Sequence, residues 1–233
     1  MNNIFYAPKS DFNVEQSVEI KDQEALHISK VLRHKVGDHI LVADGEGSRF
    51  KAEITEINKR TVISKVIEKS VEDIPSKRKV LALGVIKKRD RLEFAIEKTV
   101  ELDAWEICLF NADHSERSKL NEERLFTQIV SAFKQCGRFW LPKLVVLNSL
   151  DEVFNHYHDS EYIMAHEEIE VSNQPKPLVK EQTVLLVGPE GGFSSREVAL
   201  NQKKGGEFVS LGKNRLRAET AVMAFLSQYL YIK

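Results

Sequence analysis

The pattern of apolar and polar positions divides the chain into two kinds of segment. Up to about residue 70, short runs read as β. HILVADGEG (39–47) is a strand entering an Asp44-Gly45 turn, a hairpin signal. FKAEITEI (50–57) and TVISKVIEK (61–69) alternate or run β-branched, with Asn58-Lys59-Arg60 between them. One short helix is expected at about Asp22 to Leu32, with Leu26, Ile28 and Val31 toward the core. From Lys79 the pattern changes. Runs such as VLALGVI, EICLF, EYIMAH, TVLLVG and EFVSL alternate with helical stretches at 90–102, 120–136, 149–157, 195–204 and 218–231. Alternating strand and helix predicts a parallel sheet flanked by helices. The break falls near 71–78, where VEDIPSKRK reads as a linker. The expected division is a small β-barrel over 1–72 and an α/β domain over 73–233.

Two junctions near the C-terminus carry the most chemistry. In TVLLVGPEGG (183–192) a short apolar run stops at Gly188-Pro189, and Gly191-Gly192 permit close approach or positive φ. Ser194 offers an N-cap and Glu197 completes a capping box, so a helix should run from about Ser195 to Lys204 and end at Gly205-Gly206. A second strand, Phe208 to Leu211, enters a turn at Gly212. The last helix, about Ala218 to Tyr231, is apolar nearly all round and is expected to be buried. Two glycine turns at strand ends make a ligand crevice of the kind open α/β sheets use. The spacing matches neither a phosphate-binding P-loop nor G-x-G-x-x-G. A plain strand-turn-helix junction would use the same residues as GPEGG.

Composition narrows the class. The 233 residues are 42% hydrophobic with a net charge of −1, enough for real cores and no global reason to expect nucleic acid. Charge is local instead. Residues 77–91 hold Lys77, Arg78, Lys79, Lys87, Lys88, Arg89 and Arg91 against Asp90, and residues 203–217 are also basic. Such patches either contact phosphates or are solvated faces. Two cysteines, Cys108 and Cys136, argue against a disulfide framework, and the histidines are not spaced for a metal site. No apolar run is long enough to span a membrane and MNNIFYAPKSD has no signal-peptide core, so a cytoplasmic protein is expected.

Five segments together resemble one family. They are LLVGPEGGFSSREV and LGKNRLRAETAV, with weaker matches in HISKVLRHKVGDHILVADGEG, EKTVELDAWEI and AFKQCGRFWLPKL. They resemble the SPOUT methyltransferases, and within them the family that methylates N3 of a uridine in 16S ribosomal RNA. The resemblance implies a C-terminal α/β domain with a trefoil knot that holds S-adenosylmethionine, and an N-terminal PUA-like barrel that binds RNA. It implies a homodimer acting on 16S rRNA or the small ribosomal subunit, without a metal. The cofactor would be held by Val187, Gly188, Pro189, Glu190, Gly191, Leu211, Gly212, Leu216, Arg217, Ala218 and Thr220. Arg217 and Glu219 would be catalytic, although Glu219 in a first helical turn also suits the helix dipole. His27, Lys30, Arg33, Lys77, Arg78, Lys79 and Arg138 would contact RNA. A noncatalytic RNA-binding or ribosome-assembly factor, or a tRNA ribose 2′-O-methyltransferase, would share the fold. Departures from the family pattern are Asn214-Arg215, Phe133-Lys134, and Asp103 where glycine is usual.

Overall fold

The computed structural model describes residues 3–13, 16–116, 119–167 and 177–230. They form two compact units. The first is residues 1–74 with 133–141, and the second is 75–132 with 142–233.

The first unit is a curled five-stranded sheet with strand order β1-β3-β4-β5-β2. Its strands are β1 (Ile4–Tyr6), β2 (Ser17–Lys21), β3 (His39–Ala43), β4 (Ser48–Ile57) and β5 (Thr61–Val71). The β3–β4 hairpin turns where Asp44-Gly45 predicted it, with Gly45 at φ 73° and Gly47 at φ 90°, conformations that favour glycine. One face closes over Phe5, Val18, Ile20, Ile40, Val42, Ile54 and Val62. The expected helix is split. A short α1 (Asp22–Leu26) continues as a π-helical turn over His27–Val31. The wider turn rotates the face. Ile28 is fully buried, but Val31 is 67% exposed, so Val31 does not reach the core as its spacing suggested.

Residues 133–141 complete this unit. Phe133 is buried with its ring edge-on to Tyr6, and Lys134 pairs with Glu24. The Arg49 guanidinium lies 4.1 Å from the Phe139 ring centroid and donates to the Gly137 carbonyl. Backbone bonds from Gly47 N–H to Phe139 and from Leu141 N–H to Gly45 join the segment to the hairpin. The Phe133-Lys134 departure therefore has its own partners: the ring fills the core beside Tyr6, and the cation meets Glu24.

The second unit is a six-stranded, wholly parallel sheet, order β11-β9-β10-β6-β7-β8. Its strands are β6 (Arg78–Gly84), β7 (Glu106–Phe110), β8 (Lys143–Leu147), β9 (Glu161–Ala165), β10 (Gln182–Val187) and β11 (Glu207–Val209). The helices are α2 (Arg89–Glu101), α3 (Glu122–Cys136, whose residues from Phe133 onward belong to the first unit), α4 (Leu150–His156), α5 (Ser195–Lys203) and α6 (Ala218–Ser227). Strand and helix alternate as the sequence pattern implied. β8 was not foreseen. It is an edge strand, half-exposed along its length although Leu144–Leu147 is a continuous apolar run. Asp103 occupies φ 63° in the turn after α2, which explains why glycine is usual there and why aspartate, tolerant of the left-handed region, replaces it. α6 packs on α2 and stops at Ser227; Tyr231 lies outside the described residues.

Arg78 and Lys79 belong to β6 rather than to a linker. Lys79 is 4% exposed, and its ammonium donates to the Tyr229 carbonyl at 3.0 Å with Asp103 at 3.8 Å. A buried cation committed to those partners cannot also neutralise an RNA phosphate, so Lys79 is removed from the RNA-binding set. Lys77 donates to the carbonyls of Val179 and Lys180, and Arg78 meets Glu181.

Candidate active site

Three neighbouring parallel strands, β11, β9 and β10, end side by side, and the chain leaving each one lines a single cavity of about 520 Å³. The C-terminal edge of a parallel sheet is where open α/β folds place ligands. The volume lies in the usual range for a small-molecule site.

The turn after β10 is set by backbone packing. Gly192 N–H donates to the Pro189 carbonyl at 2.9 Å, and Gly192 sits at φ 69°. A Cβ on Gly188 would come within 3.0 Å of Gly192, and one on Gly191 within 2.8 Å of the His114 side chain. The His114 ring nitrogen Nδ1 lies 3.0 Å from the Gly191 carbonyl. The turn then enters α5 through the predicted capping box: Ser194 Oγ accepts from Glu197 N–H, and the Glu197 carboxylate accepts from Ser194 N–H at 2.9 Å and Asp113 N–H at 3.1 Å. Glu197 is fully buried, which raises its carboxyl above the usual range despite those two donors. Beside it, Arg196 and Ser194 hold the Asp113 carboxyl at about 2. This cluster anchors the β10 turn to the loop after β7.

The turn after β11 is looser. Gly212 adopts φ 141°, and nothing lies within 4 Å of where its Cβ would stand. Leu211 and Leu216 are half-buried, and Arg217 is the N-cap of α6, with extended φ/ψ and no side-chain cap. Arg217 and Ala218, at this helix end without a side-chain cap, both line the cavity. Arg215 bridges the turns: Nε is 3.4 Å from Glu167, and Nη2 donates to the Glu190 carbonyl at 3.4 Å.

Every cofactor-binding residue expected from the sequence lines this cavity except Thr220, whose place on the wall is taken by Ala221. On a helix the wall-facing positions are 217, 218 and 221, a spacing that turns Thr220 away. Arg217 is on the wall. Glu219 is not; it is 8% exposed, with Oε1 3.6 Å from Arg91 Nε and Oε2 accepting no hydrogen bond among the described residues. Sequence reasoning missed Arg91, His166, Glu167, Gly192 and Phe193, all of which line the cavity. Gly192 ends a motif already identified and Phe193 follows it, while His166 ends a run already identified and Glu167 follows it. Of the expected RNA contacts, His27, Lys30, Arg33 and Arg138 all fall in the first unit. His27 is half-buried, edge-on to Phe5 at 6.0 Å, while Lys30 and Arg33 are exposed. Among the described residues there is no cluster able to hold a metal, and no helix is long and apolar enough to cross a membrane.

Comparison with known proteins places this architecture. Residues 73–230 match the family described as an RNA methyltransferase domain, and residues 20–67 match an RNA methyltransferase PUA domain. Ribosomal RNA small subunit methyltransferase E of Bacillus subtilis is 28% identical, over 96% of this chain and 93% of its own length. The probable rRNA-methyltransferase of Porphyromonas gingivalis superposes with a TM-score of 0.83 at 31% identity, covering 98% of this chain and 99% of that one. Ribosomal RNA small subunit methyltransferase E of Neisseria gonorrhoeae, solved bound to S-adenosyl methionine, superposes with a TM-score of 0.81 at 25% identity over 98% and 97%. With a family match over most of its length and the expected crevice at the sheet edge, the chain belongs to the RNA methyltransferase domain family, here joined to a PUA domain.

Proposed function

We propose that this protein transfers the methyl group of S-adenosylmethionine to N3 of a uridine in 16S ribosomal RNA of the small ribosomal subunit, in the cytoplasm and as a homodimer. The observation that carries the reading is the single cavity made by three strand-end turns, in a chain similar to a methyltransferase solved with S-adenosyl methionine bound. The cavity fits that cofactor. Its walls are backbone at Gly188–Gly192 and Gly212, and apolar at Val187, Leu211, Leu216, Ala218 and Ala221. A flat aromatic base needs both: side-chain-free backbone to approach its edges and apolar surface for its faces.

When bound, the cofactor supplies a methyl carbon on a positively charged sulfur. The remaining work falls to the protein. Uracil N3 carries a proton and is a poor nucleophile until that proton leaves. Arg217, at the cavity wall and the N-terminus of α6, sets positive charge where the uracil carbonyls would gain electron density. The fixed turns hold the reactants together, a positioning effect that supplies much of the barrier reduction in displacement chemistry. The first unit, with Lys30, Arg33 and Arg138, serves as the RNA-gripping domain.

The test is to incubate the protein with radiolabelled S-adenosylmethionine and small subunits, then digest the RNA to nucleosides. Label in 3-methyluridine is expected. Label in a ribose 2′-O-methyl group would favour the tRNA-type chemistry, and no label with retained RNA binding would favour a noncatalytic factor.

A further inference from the structure

We infer that Arg91 is a second catalytic cation of the site, and that Glu219 acts through it as a positioning residue. The inference rests on the methyl-transfer reading above and deepens it.

Arg91 lies in the first turn of α2, after β6, far in sequence from the glycine turns. α2 packs against α6, and this brings Arg91 to the cavity wall beside the residues that open α6. Its side chain is 25% exposed, so the guanidinium is partly withdrawn from water yet still faces the cavity. Glu219 stands behind the wall, with its side chain 11% exposed, and Oε1 is 3.6 Å from Arg91 Nε.

Each residue explains the other. A buried carboxylate without a countercharge is costly, and Oε2 of Glu219 finds no hydrogen-bond donor among the described residues. Arg91 supplies the countercharge. An arginine without an anchor would swing into solvent. Glu219, held by helix α6, sets its carboxylate as an ion-pair partner 3.6 Å from Nε, which leaves the outer N–H groups for the cavity. Glu219 has no place on the wall, so it has no route to the N3 proton.

The chemistry balances without a protein base. The N3 proton passes to water. The electron pair left on N3 forms the new N–C bond to the methyl carbon, and the pair of the broken S–C bond returns to sulfur. Negative charge spreads onto the uracil O2 and O4 as the proton leaves. Arg217 and Arg91, arriving from two different helices, can each meet one carbonyl. Arg91 neither gains nor loses a proton in this scheme; it stabilises the anion.

The experiment is single-turnover methylation at saturating S-adenosylmethionine, from pH 6 to pH 10, with wild type, Arg91→Gln, Arg91→Lys and Glu219→Gln. Loss of one such donor typically lowers the rate about 100- to 1,000-fold, and Arg91→Gln is expected in that range near pH 7. Its deficit should shrink as pH rises, because solvent then removes the proton that the cation no longer helps to release. Arg91→Lys should recover part of the rate, and Glu219→Gln should lose less than Arg91→Gln with the same pH trend. Calorimetry should show unchanged cofactor affinity in all three. A deficit constant across pH would mean a structural role and overturn the inference. So would a normal Arg91→Gln rate, or a deficit explained by lost cofactor binding. If wild type itself puts no methyl on uridine N3, the functional reading fails first and this inference falls with it.

Discussion

The two edges of the parallel sheet are built from different chemistry. At the N-terminal edge, polar side chains at the starts of the strands are spent on one another. Lys79 of β6 donates to the Tyr229 carbonyl, Tyr157 to Glu106 of β7, Thr183 of β10 to Glu161 of β9 at 2.9 Å, and Ser160 to Gln182 at 2.9 Å. Burial pushes the Tyr157 hydroxyl well above its usual range, so it stays a donor to that carboxylate. At the C-terminal edge of β9, β10 and β11 the wall is backbone, apolar side chains and three arginines, Arg91, Arg215 and Arg217, of which Arg215 is engaged with Glu167 and the Glu190 carbonyl. One edge satisfies itself; the other leaves donors and space for a ligand. A basic residue therefore means different things at the two ends of β6: Lys79 closes the fold, whereas Arg91, beyond the other end, faces the cavity.

The comparison can be broken most severely at Gly212. Its φ of 141° is a conformation essentially reserved for glycine. Gly212→Val should cost about 1–3 kcal/mol of turn geometry, read by calorimetry as a roughly tenfold to hundredfold loss of S-adenosylmethionine affinity. Because no neighbour lies within 4 Å of the new Cβ, the cost should be limited to this backbone strain, so the melting temperature should fall by a few degrees with the fold retained. Unchanged affinity would remove this turn from the site.

Lys79→Met should do the reverse. It strips the buried Tyr229 carbonyl of its donor, a loss of about 1–3 kcal/mol, seen as a lower midpoint in denaturant with cofactor affinity intact. A stable variant that instead binds RNA less well would restore Lys79 to the RNA-contact set.

The smallest effect should come from Asp113. Arg196 and Ser194 lower its carboxyl to about 2 in the folded protein, against roughly 3.9 unfolded. A depressed carboxyl stabilises the fold above its unfolded value, and that contribution disappears as pH falls from about 4 toward 2. The side chain is 35% exposed, so solvent screens the effect. Asp113→Asn should lower the melting temperature slightly at pH 7 and not at pH 2. An equal change at both would show that the ion pair contributes nothing.

The glycine turns were legible because the chemistry there is local: GPEGG and the Leu211–Arg217 turn carry their conformational demands in adjacent residues, as does the Ser194/Glu197 capping box. Arg91 was not, because its role depends on α2 packing against α6, and its only sequence signal was membership of a basic run. The same holds for residues 133–141. Their partners, Tyr6, Glu24, Arg49 and Gly47, lie some 85 or more positions away, so no periodicity could report the contact. β8 was missed for a third reason: its apolar run, Leu144–Leu147, is only four residues long, and periodicity alone does not assign so short a run to a strand. Val31 was misassigned because a π-helical turn breaks the 3.6-residue spacing on which the expectation rested.

The most direct test of the central claim is a crystal structure of this protein grown with S-adenosylmethionine. The account predicts the cofactor in the cavity between the Gly188–Gly192 turn and the Leu211–Arg217 turn, with its methyl carbon open to the side bounded by Arg217 and Arg91. Cofactor bound elsewhere, or a methyl carbon sealed away from both arginines, would contradict it.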